Sequence, residues 1–339
     1  MATIIKTIRI ILLPISYLWG VITWIRRWMY RNGIIQRHSG VLPSMVVGNI
    51  SAGGTGKTPF VIWLSGKMTT KKPAILSRGY GRKTQGFLAV TQNSTAQEVG
   101  DEPCEIFNAV GNTTQNFVCE NRLQGIQKIK ELGGANLVLL DDGFQHLALQ
   151  ANAYVLLCNY RQPFYADLPI PTGELREFAS AASQATAIVV TKCPENMEMA
   201  EAEKSKVALG KYKVPVYFAA YLQSAAKTKL GEELETGAAV VLVSALAHNT
   251  AFKSDVEKNY MVLESFAYSD HYAFKQTDVE HWETLVKTTG ARGIVTSRKD
   301  ATRMQHLRIG VPVFEVCTEV NVLFDGEKEL IELLLKKIG

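Results

Sequence analysis

The residues of segment 51–58 could bind and polarise phosphate groups. They read Ser-Ala-Gly-Gly-Thr-Gly-Lys-Thr and directly follow an apolar run typical of a buried strand. Glycines in such a turn let the backbone curl tightly, so that its N–H groups point inward at an anion. Lys57 can place a mobile positive charge on the outer phosphates, and the Thr58 hydroxyl can reach Mg²⁺. A helix predicted from Pro59 to Met68 adds the positive end of its dipole at the same place.

This pattern predicts a phosphate-binding loop for a nucleoside triphosphate. Ser51 stands where the strict motif has glycine, so a purely structural glycine turn before a helix stays an alternative. The predicted nucleotide-binding residues are Ser51, Ala52, Gly53, Gly54, Thr55, Gly56, Lys57 and Thr58.

Two adjacent aspartates, Asp141 and Asp142, end the apolar run from Leu137 to Leu140. A buried parallel strand ends in this way at a ligand site. Two neighbouring carboxylates at a strand end are costly unless a cation or hydrogen-bond donors satisfy them. The run therefore predicts the Mg²⁺-binding partner of the phosphate loop, with a turn that uses Asp142 and Gly143 as the alternative.

The segment after a later apolar run bears on the base of the nucleotide. Thr191-Lys-Cys-Pro194 follows the predicted strand from Ala187 to Val190. Loops that read guanine have an aspartate two residues after the lysine, and Pro194 takes that place here. Adenine or a looser base pocket is therefore favoured over guanine.

The elements that must position these groups alternate between strand and helix patterns along most of the chain. This alternation predicts an α/β fold, a parallel sheet flanked by helices like that of phosphate-loop NTPases, with a second, smaller α/β domain. We predict an amino-terminal helix over residues 1–31, a catalytic domain over 32–213, and a linker with the second domain over 214–339.

Composition restricts the classes of partner. The 339 residues are 47% hydrophobic and 20% charged, as in an ordinary globular protein. A net charge of +5 suits an anionic substrate or an anionic membrane surface. We expect no nucleic-acid partner, because interleaved aromatic and basic recognition motifs are missing. Five scattered cysteines argue against a zinc site or a disulfide framework and fit reduced thiols in a cytosolic compartment.

Residues 1–31 are apolar, aromatic and basic. The charge-free stretch from Ile10 to Ile25 is interrupted by Pro14 and is shorter than the roughly 20 residues that a spanning helix needs. Tryptophans beside arginines are typical of the region where hydrocarbon meets lipid headgroups. We therefore expect an interfacial helix on a membrane surface, with a membrane span and a core helix as the alternatives.

Several motifs together resemble one family, the tetraacyldisaccharide 4′-kinases. The resemblance covers nearly the whole chain in the same order, and the pairing of the phosphate loop with Asp-Asp-Gly-Phe-Gln-His is specific. The motifs are Gly48-Asn49, Gly53–Pro59, Ser77–Arg82, Gly100–Pro103, Asp141–His146 and Leu175–Glu177.

The resemblance implies an ATP- and Mg²⁺-dependent kinase that phosphorylates the 4′-hydroxyl of tetraacyldisaccharide 1-phosphate and gives lipid IVA in lipid A synthesis. It implies a peripheral or monotopic location at the cytoplasmic face of the bacterial inner membrane, and no protein partner. Two alternatives stay open. A phosphate-loop ATPase that acts as a switch on a protein or metal partner would hydrolyse ATP without an acceptor. A kinase for a soluble sugar would be indifferent to detergent and lipid.

The resemblance also implies roles for single residues. Asp101 resembles the general base for the acceptor hydroxyl, with His271 as its helper and Asp142 in support of the reacting centre. Arg176 and Glu177 resemble phosphate and Mg²⁺ contacts. The implied metal ligands are Thr58, Asp141 and Glu177, and the residues expected at the substrate are Asn49, Arg78, Tyr80, Arg82 and Arg122.

Each of these roles has a plainer alternative. Asp101 could serve only as an N-cap before a helix that begins with proline. His271 could be a hydrogen-bonded structural residue. Arg78 and Arg82 could be solvated loop charges.

Overall fold

The computed structural model of the chain describes residues 2–247, 249–270 and 272–339, with side chains from residue 11 onward. Helices separate many of the strands from residue 44 to the carboxyl terminus, although β6 to β9 follow one another without an α-helix. The strands are β1 (His38–Ser39), β2 (Ser44–Gly48), β3 (Pro73–Ser77), β4 (Leu88–Ala89), β5 (Gln115–Val118), β6 (Leu137–Asp141), β7 (Leu149–Gln150), β8 (Ala153–Asn159), β9 (Ala187–Cys193), β10 (Val216–Gln223), β11 (Ala239–Ser244), β12 (Met261–Ala267), β13 (Ile294–Ser297), β14 (Val313–Val316) and β15 (Thr318–Val322). The helices are α1 (Ala2–Arg31), α2 (Lys57–Lys67), α3 (Ala96–Val99), α4 (Asp101–Val110), α5 (Arg122–Leu132), α6 (Met199–Leu209), α7 (Asn249–Val256), α8 (Gln276–Thr289), α9 (Arg298–Met304) and α10 (Gly326–Ile338).

The larger sheet carries the predicted phosphate loop. Its strand order is β15-β10-β9-β8-β2-β6-β3-β5-β4, and its inner strands run parallel. Every residue of β2, β3 and β6 is buried, because apolar clusters cover both faces of the sheet. Strands buried on both faces read as continuous apolar runs, which is why these were visible in the sequence. Since β2 lies between β6 and β8, ligands are expected where these carboxyl ends meet.

The smaller sheet has the order β12-β11-β13-β14 and is parallel throughout. Its core includes Trp282 of α8, whose side chain is fully buried, and Phe274 beside it. Helix α9 of this unit packs against α4 of the larger one. The predicted fold class, a parallel sheet with helices and a second, smaller α/β domain, is confirmed.

The division between the two units differs from the predicted one. Strand β10, which follows the predicted boundary at residue 213, pairs with β9 in the larger sheet. The chain then builds the smaller sheet and returns, because β15 pairs with β10 and Leu330 and Leu334 of α10 join the core of the larger unit. The smaller unit is thus an insertion between β10 and β15 rather than the whole carboxyl-terminal third.

Helix α1 lies along the larger unit and packs against it with one face. Ser16, Gly20 and Arg27 are buried at spacings that place them on the same side of a helix. The ring of Phe178 fills the space beside Gly20, where a Cβ would lie 2.4 Å from it. The opposite side exposes large apolar residues such as Leu18 and Ile25, and Trp24 and Trp28 are also exposed. Within the described part of the chain, no helix combines the length and the apolar character needed to cross a membrane.

Candidate active site

The phosphate loop and the paired aspartates lie together because their strands are neighbours. In the β2–β6 pairing Val47 stands opposite Asp141, so both strands end at the same edge of the sheet. Helix α2 begins at Lys57, directly after Gly56 in the left-handed region with φ 80°. A Cβ at Gly56 would lie 2.1 Å from the ring of Tyr221. The loop therefore requires glycine at this position, because of the positive φ and because of the close contact with Tyr221.

Side chains of the surrounding protein hold the phosphate loop by hydrogen bonds to the loop's carbonyl groups. The Asn49 side-chain amide donates to the Gly53 carbonyl at 3.2 Å and to the Thr55 hydroxyl at 2.9 Å. The Thr191 hydroxyl donates to the Thr55 carbonyl, and the Tyr221 hydroxyl to the Gly56 carbonyl, both at 2.8 Å. Carbonyl oxygens that would repel a phosphate are thereby held on the protein side, which preorganises the loop for an anion.

Two cations meet at Asp142. Lys57 Nζ lies 3.8 Å from Asp142 Oδ2, and Arg176 Nη1 lies 3.2 Å from the same oxygen. Arg176 also donates to Gln145 Oε1 at 3.3 Å. The backbone of Asp142 has φ 49°, outside the extended region, and strand β6 ends at the preceding residue, Asp141. The three predicted residues Lys57, Asp142 and Arg176 therefore form one charged group beside the loop.

Asp141 offers a carboxylate suited to a divalent cation. It is 2% exposed, and its Oδ1 has no hydrogen-bond partner among the described residues. Burial, with the neighbouring carboxylates Glu102 and Asp142, raises the pKa of Asp141 to about 8. An unpaired buried carboxylate oxygen in the cleft that Thr58 also lines fits Mg²⁺, which binds through one or two carboxylates together with substrate phosphates. The described residues contain no group of three or more His, Cys, Asp or Glu side chains that could hold a metal ion, and Mg²⁺ bound together with substrate phosphates needs only one or two carboxylates.

Glu177 is paired with the amino-terminal helix. Arg27 Nε and Nη2 donate to its two carboxylate oxygens at 2.6 and 2.7 Å, and Gln145 Nε2 donates at 3.1 Å. The carboxylate is buried behind the charged group at Asp142, since Gln145 contacts both Glu177 and Arg176. The role of Glu177 as a metal ligand stays a prediction, and in the structure it joins helix α1 to the site.

Asp101, the predicted general base, is the first residue of α4 and faces the smaller unit. Arg303 of α9 donates to Asp101 Oδ2 from Nε at 3.1 Å and from Nη2 at 2.7 Å. Its predicted helper His271 lies outside the described residues. The preceding residue in the chain, Asp270, accepts a hydrogen bond from Lys299 at 3.3 Å.

The residues predicted to contact substrate fall into two groups. Arg78 and Tyr80 are exposed on the wall of the cleft, and Arg122 also lines it although it is buried. Arg82 instead pairs with Glu120 and donates to the Gly86 carbonyl, so it holds its own loop. Asn49 is fully buried beneath the phosphate loop.

One cleft of about 2930 Å³ joins these features. Pockets for a single small ligand measure about 300–1000 Å³, so this cleft has room for two substrates. Its walls include the phosphate loop, Asp101, Asp141 and Asp142, with Trp19, Ile22 and Arg26 of α1 on another side. A nucleotide site and a mostly apolar helix surface therefore open into the same space.

The cleft continues to the region predicted to bind the base. Lys192, with φ 58°, lies beside Gly54, where a Cβ would be 3.7 Å from its Nζ. Burial and Arg161 lower the pKa of Lys192. Pro194 and Tyr221 line the same part of the cleft. The preference for adenine stays a prediction.

Sequence reasoning missed three side chains that the structure places at the site. Gln145 belongs to a motif that was singled out, yet it received no role. Arg27 lies in segment 1–31, whose basic residues were interpreted only as facing a membrane. Arg303 lies three residues after Asp300 on α9, and this spacing was the available signal.

Comparisons with known proteins agree over most of the chain. The family model of tetraacyldisaccharide-1-P 4′-kinase matches residues 8–339. A tetraacyldisaccharide 4′-kinase of Cytophaga hutchinsonii is 33% identical over 331 residues, 95% of this chain and 94% of that protein. The enzyme of that name from Flavobacterium psychrophilum is 35% identical over 303 residues, 86% of each chain.

A solved structure points the same way. It is an LpxK of Aquifex aeolicus in complex with ATP, with a TM-score of 0.78 and 26% identity. The match covers 98% of this chain and 100% of that one. These findings confirm the resemblance drawn from the motifs: the chain belongs to the tetraacyldisaccharide-1-P 4′-kinase family.

Proposed function

We propose that this chain is a kinase that transfers the γ-phosphoryl group of ATP to the 4′-hydroxyl of tetraacyldisaccharide 1-phosphate, giving lipid IVA in lipid A synthesis. The observation that carries the proposal is the shared cleft, in which the phosphate loop faces both Asp101 and helix α1. A nucleotide and the headgroup of a lipid can meet there. Family membership supports the reaction and the acceptor.

Phosphoryl transfer demands positioning and positive charge more than covalent chemistry from the protein. Lys57 and Arg176 hold positive charge beside the phosphate loop, and Asp142 keeps both in place. Asp101 accepts the proton of the attacking hydroxyl as the new P–O bond forms and the bond to the leaving ADP oxygen breaks. When bound by Thr58 and Asp141, Mg²⁺ supplies positive charge to the phosphate oxygens.

Helix α1 places the enzyme on the membrane that carries its acceptor. Its exposed side bears Trp24 and Trp28, and Arg26 and Arg31 lie at the same end. Aromatic side chains at the headgroup level and basic residues on anionic lipid are typical of interfacial helices. We infer a peripheral or monotopic enzyme at the cytoplasmic face of the inner membrane, without a nucleic-acid or protein partner.

The decisive experiment supplies ATP labelled at the γ-phosphate and a tetraacyldisaccharide 1-phosphate acceptor in detergent. We expect label in the lipid extract, dependent on Mg²⁺, and loss of transfer in Lys57→Ala. Label that appears only as free phosphate would refute the kinase and favour an ATPase switch. Equal transfer to a soluble disaccharide lacking acyl chains would refute the lipid acceptor.

A flotation assay tests the membrane proposal. The double variant Trp24→Ser/Trp28→Ser should lose binding to vesicles that contain anionic lipid, because it removes apolar area without touching the buried face of α1. Val207→Ser, an exposed apolar residue on α6, is the matched control and should still float. Unchanged flotation of the double variant would contradict a role for this surface.

A further inference from the structure

Arg303 is the side chain through which the smaller unit reaches the proposed general base. Its side chain is 7% exposed and lies on α9. Nε and Nη2 donate to Asp101 Oδ2 at 3.1 and 2.7 Å, so two donors act on one oxygen. Asp101 belongs to α4 of the larger unit. The interaction therefore crosses between the two units at the edge of the cleft.

The smaller unit holds the guanidinium of Arg303 firmly. Nη1 donates to the Ala245 carbonyl and to Asp300 Oδ1, both at 3.1 Å. Asp300 is fully buried, and its Oδ2 accepts from the Ala245 amide at 3.0 Å and from the Ser297 hydroxyl at 2.8 Å. Because the guanidinium is planar and rigid, fixing Nη1 also fixes the direction of the other two nitrogens.

The Arg303 guanidinium also lies near Asp270, the residue that precedes His271 in the chain. Arg303 Nη2 lies 4.0 Å from Asp270 Oδ1, and Lys299 Nζ lies 3.3 Å from that oxygen. Arg303 thus contacts the larger unit through Asp101 and approaches the smaller unit's own loop at Asp270. Arg303 is therefore close to Asp101 and to the residue that precedes His271 in the chain.

A carboxylate at the first residue of a helix has a competing interaction. Its oxygens can turn back to the free N–H groups of the first helical turn, which carry the positive end of the helix dipole. The fork of Arg303 draws Asp101 towards the smaller unit instead. Charge-assisted hydrogen bonds of this kind are short and strongly directional.

We propose that Arg303 is a positioning residue for the reaction: it holds the Asp101 carboxylate in the orientation that accepts the hydroxyl proton, and it makes this orientation depend on the docking of the smaller unit. The inference rests on the proposed function. Arg303 acts through Asp101 and needs no contact with either substrate.

The test compares kcat and KM for label transfer to the lipid acceptor in detergent, using the full chain. Arg303→Ala should lower kcat about tenfold to 100-fold, since small misplacements of reacting groups cost up to about that factor. The KM for ATP should change less than about twofold, because the hydrogen bonds described above join Arg303 to Asp101, Ala245 and Asp300 and not to the phosphate loop. Arg303→Lys should fall between wild type and Arg303→Ala, because an ammonium keeps the charge but lacks the fork.

The double variant separates positioning from a general effect on the interface. In the Asp101→Ala background, Arg303→Ala should cause no further loss of kcat, because its target is already absent. Thr302→Val is the matched control: it removes the 2.7 Å hydrogen bond from Asn108 of α4 to the same helix without touching Asp101. Its kcat should equal that of the wild type.

Several results would overturn the inference. These are wild-type kcat in Arg303→Ala or in Arg303→Lys, an equal loss in the Asp101→Ala background, or a similar loss in Thr302→Val. If Arg303→Ala does not fold, Arg303→Lys with and without Asp101→Ala gives the same comparison. A wild-type enzyme that hydrolyses ATP without labelling the lipid would instead defeat the proposed function, so the two failures are distinguishable.

Discussion

Replacement of Arg27 by alanine should uncouple helix α1 from the active site. Arg27 donates to both oxygens of Glu177 at 2.6 and 2.7 Å and to Gln184 at 2.8 Å, and its guanidinium lies 5.2 Å from the centroid of the Phe144 ring. Both charged side chains are nearly buried, with 8% and 7% exposure. The variant removes the cation and leaves the carboxylate.

The expected loss of stability in Arg27→Ala follows from the Glu177 carboxylate, which is left buried without its cation. In Arg27→Ala, Glu177 keeps the hydrogen bond from Gln145 Nε2 at 3.1 Å and stays buried. Breaking a buried ion pair by removing one partner costs about 3–5 kcal/mol. Typical stabilities are about 5–15 kcal/mol, so this loss is a large share of the total. We expect the free energy of unfolding to fall by about 3–5 kcal/mol.

Urea denaturation followed by circular dichroism measures this change, and limited proteolysis reports whether α1 has come away. Arg26→Ala is the matched control. Arg26 is exposed, 5.8 Å from the centroid of the Tyr30 ring; such a contact contributes about 0.5–1 kcal/mol. The double variant Arg27→Met/Glu177→Met should be close to wild type in stability, because it removes both charges and fills the space.

Two outcomes would refute the reasoning. One is a loss in Arg27→Ala no larger than that in Arg26→Ala, which would mean that the pair contributes no more than a surface charge. The other is a Met/Met double variant as unstable as Arg27→Ala, which would assign the loss to packing rather than to the stranded carboxylate. Both comparisons are free energies of unfolding measured at the same pH.

Asp141→Asn should lower kcat more than 100-fold, while the metal-free protein unfolds at a similar urea concentration at neutral pH and at a higher one above pH 8, because burial raises the pKa of Asp141 to about 8 and disfavours its ionised form; retained turnover would contradict the metal role. Gly56→Ala should raise the KM for ATP at least tenfold and destabilise the protein, because the new Cβ would meet the Tyr221 ring at 2.1 Å and φ is 80°. Gly66→Ala is its control within α2: nothing lies within 4 Å of the added Cβ, so stability should rise by about 0.5–1 kcal/mol.

The inner strands of the larger sheet could be predicted because burial on both faces leaves continuous apolar runs. Strands β2 and β6 are entirely buried, and both were predicted. Strand β12 was missed because most of its residues are exposed or half-exposed, which breaks the apolar run. Strand β15, an antiparallel edge, was missed for the same reason.

Local sequence is enough to set the chemistry at the strand ends. A glycine-rich turn between a strand and a helix sets its own backbone angles, and so sets the direction of its N–H groups. Asp141 and Asp142 likewise follow from one short segment. Packing of distant elements is needed only to bring the two segments to the same edge.

The tertiary structure decided which charges pair across the chain. With 37 Lys and Arg against 32 Asp and Glu, composition leaves many pairings open. Arg27 meets Glu177 150 residues away, and Arg303 meets Asp101 202 residues away. These partners depend on which helix face packs against which loop, and that is a property of the assembled core rather than of any local pattern.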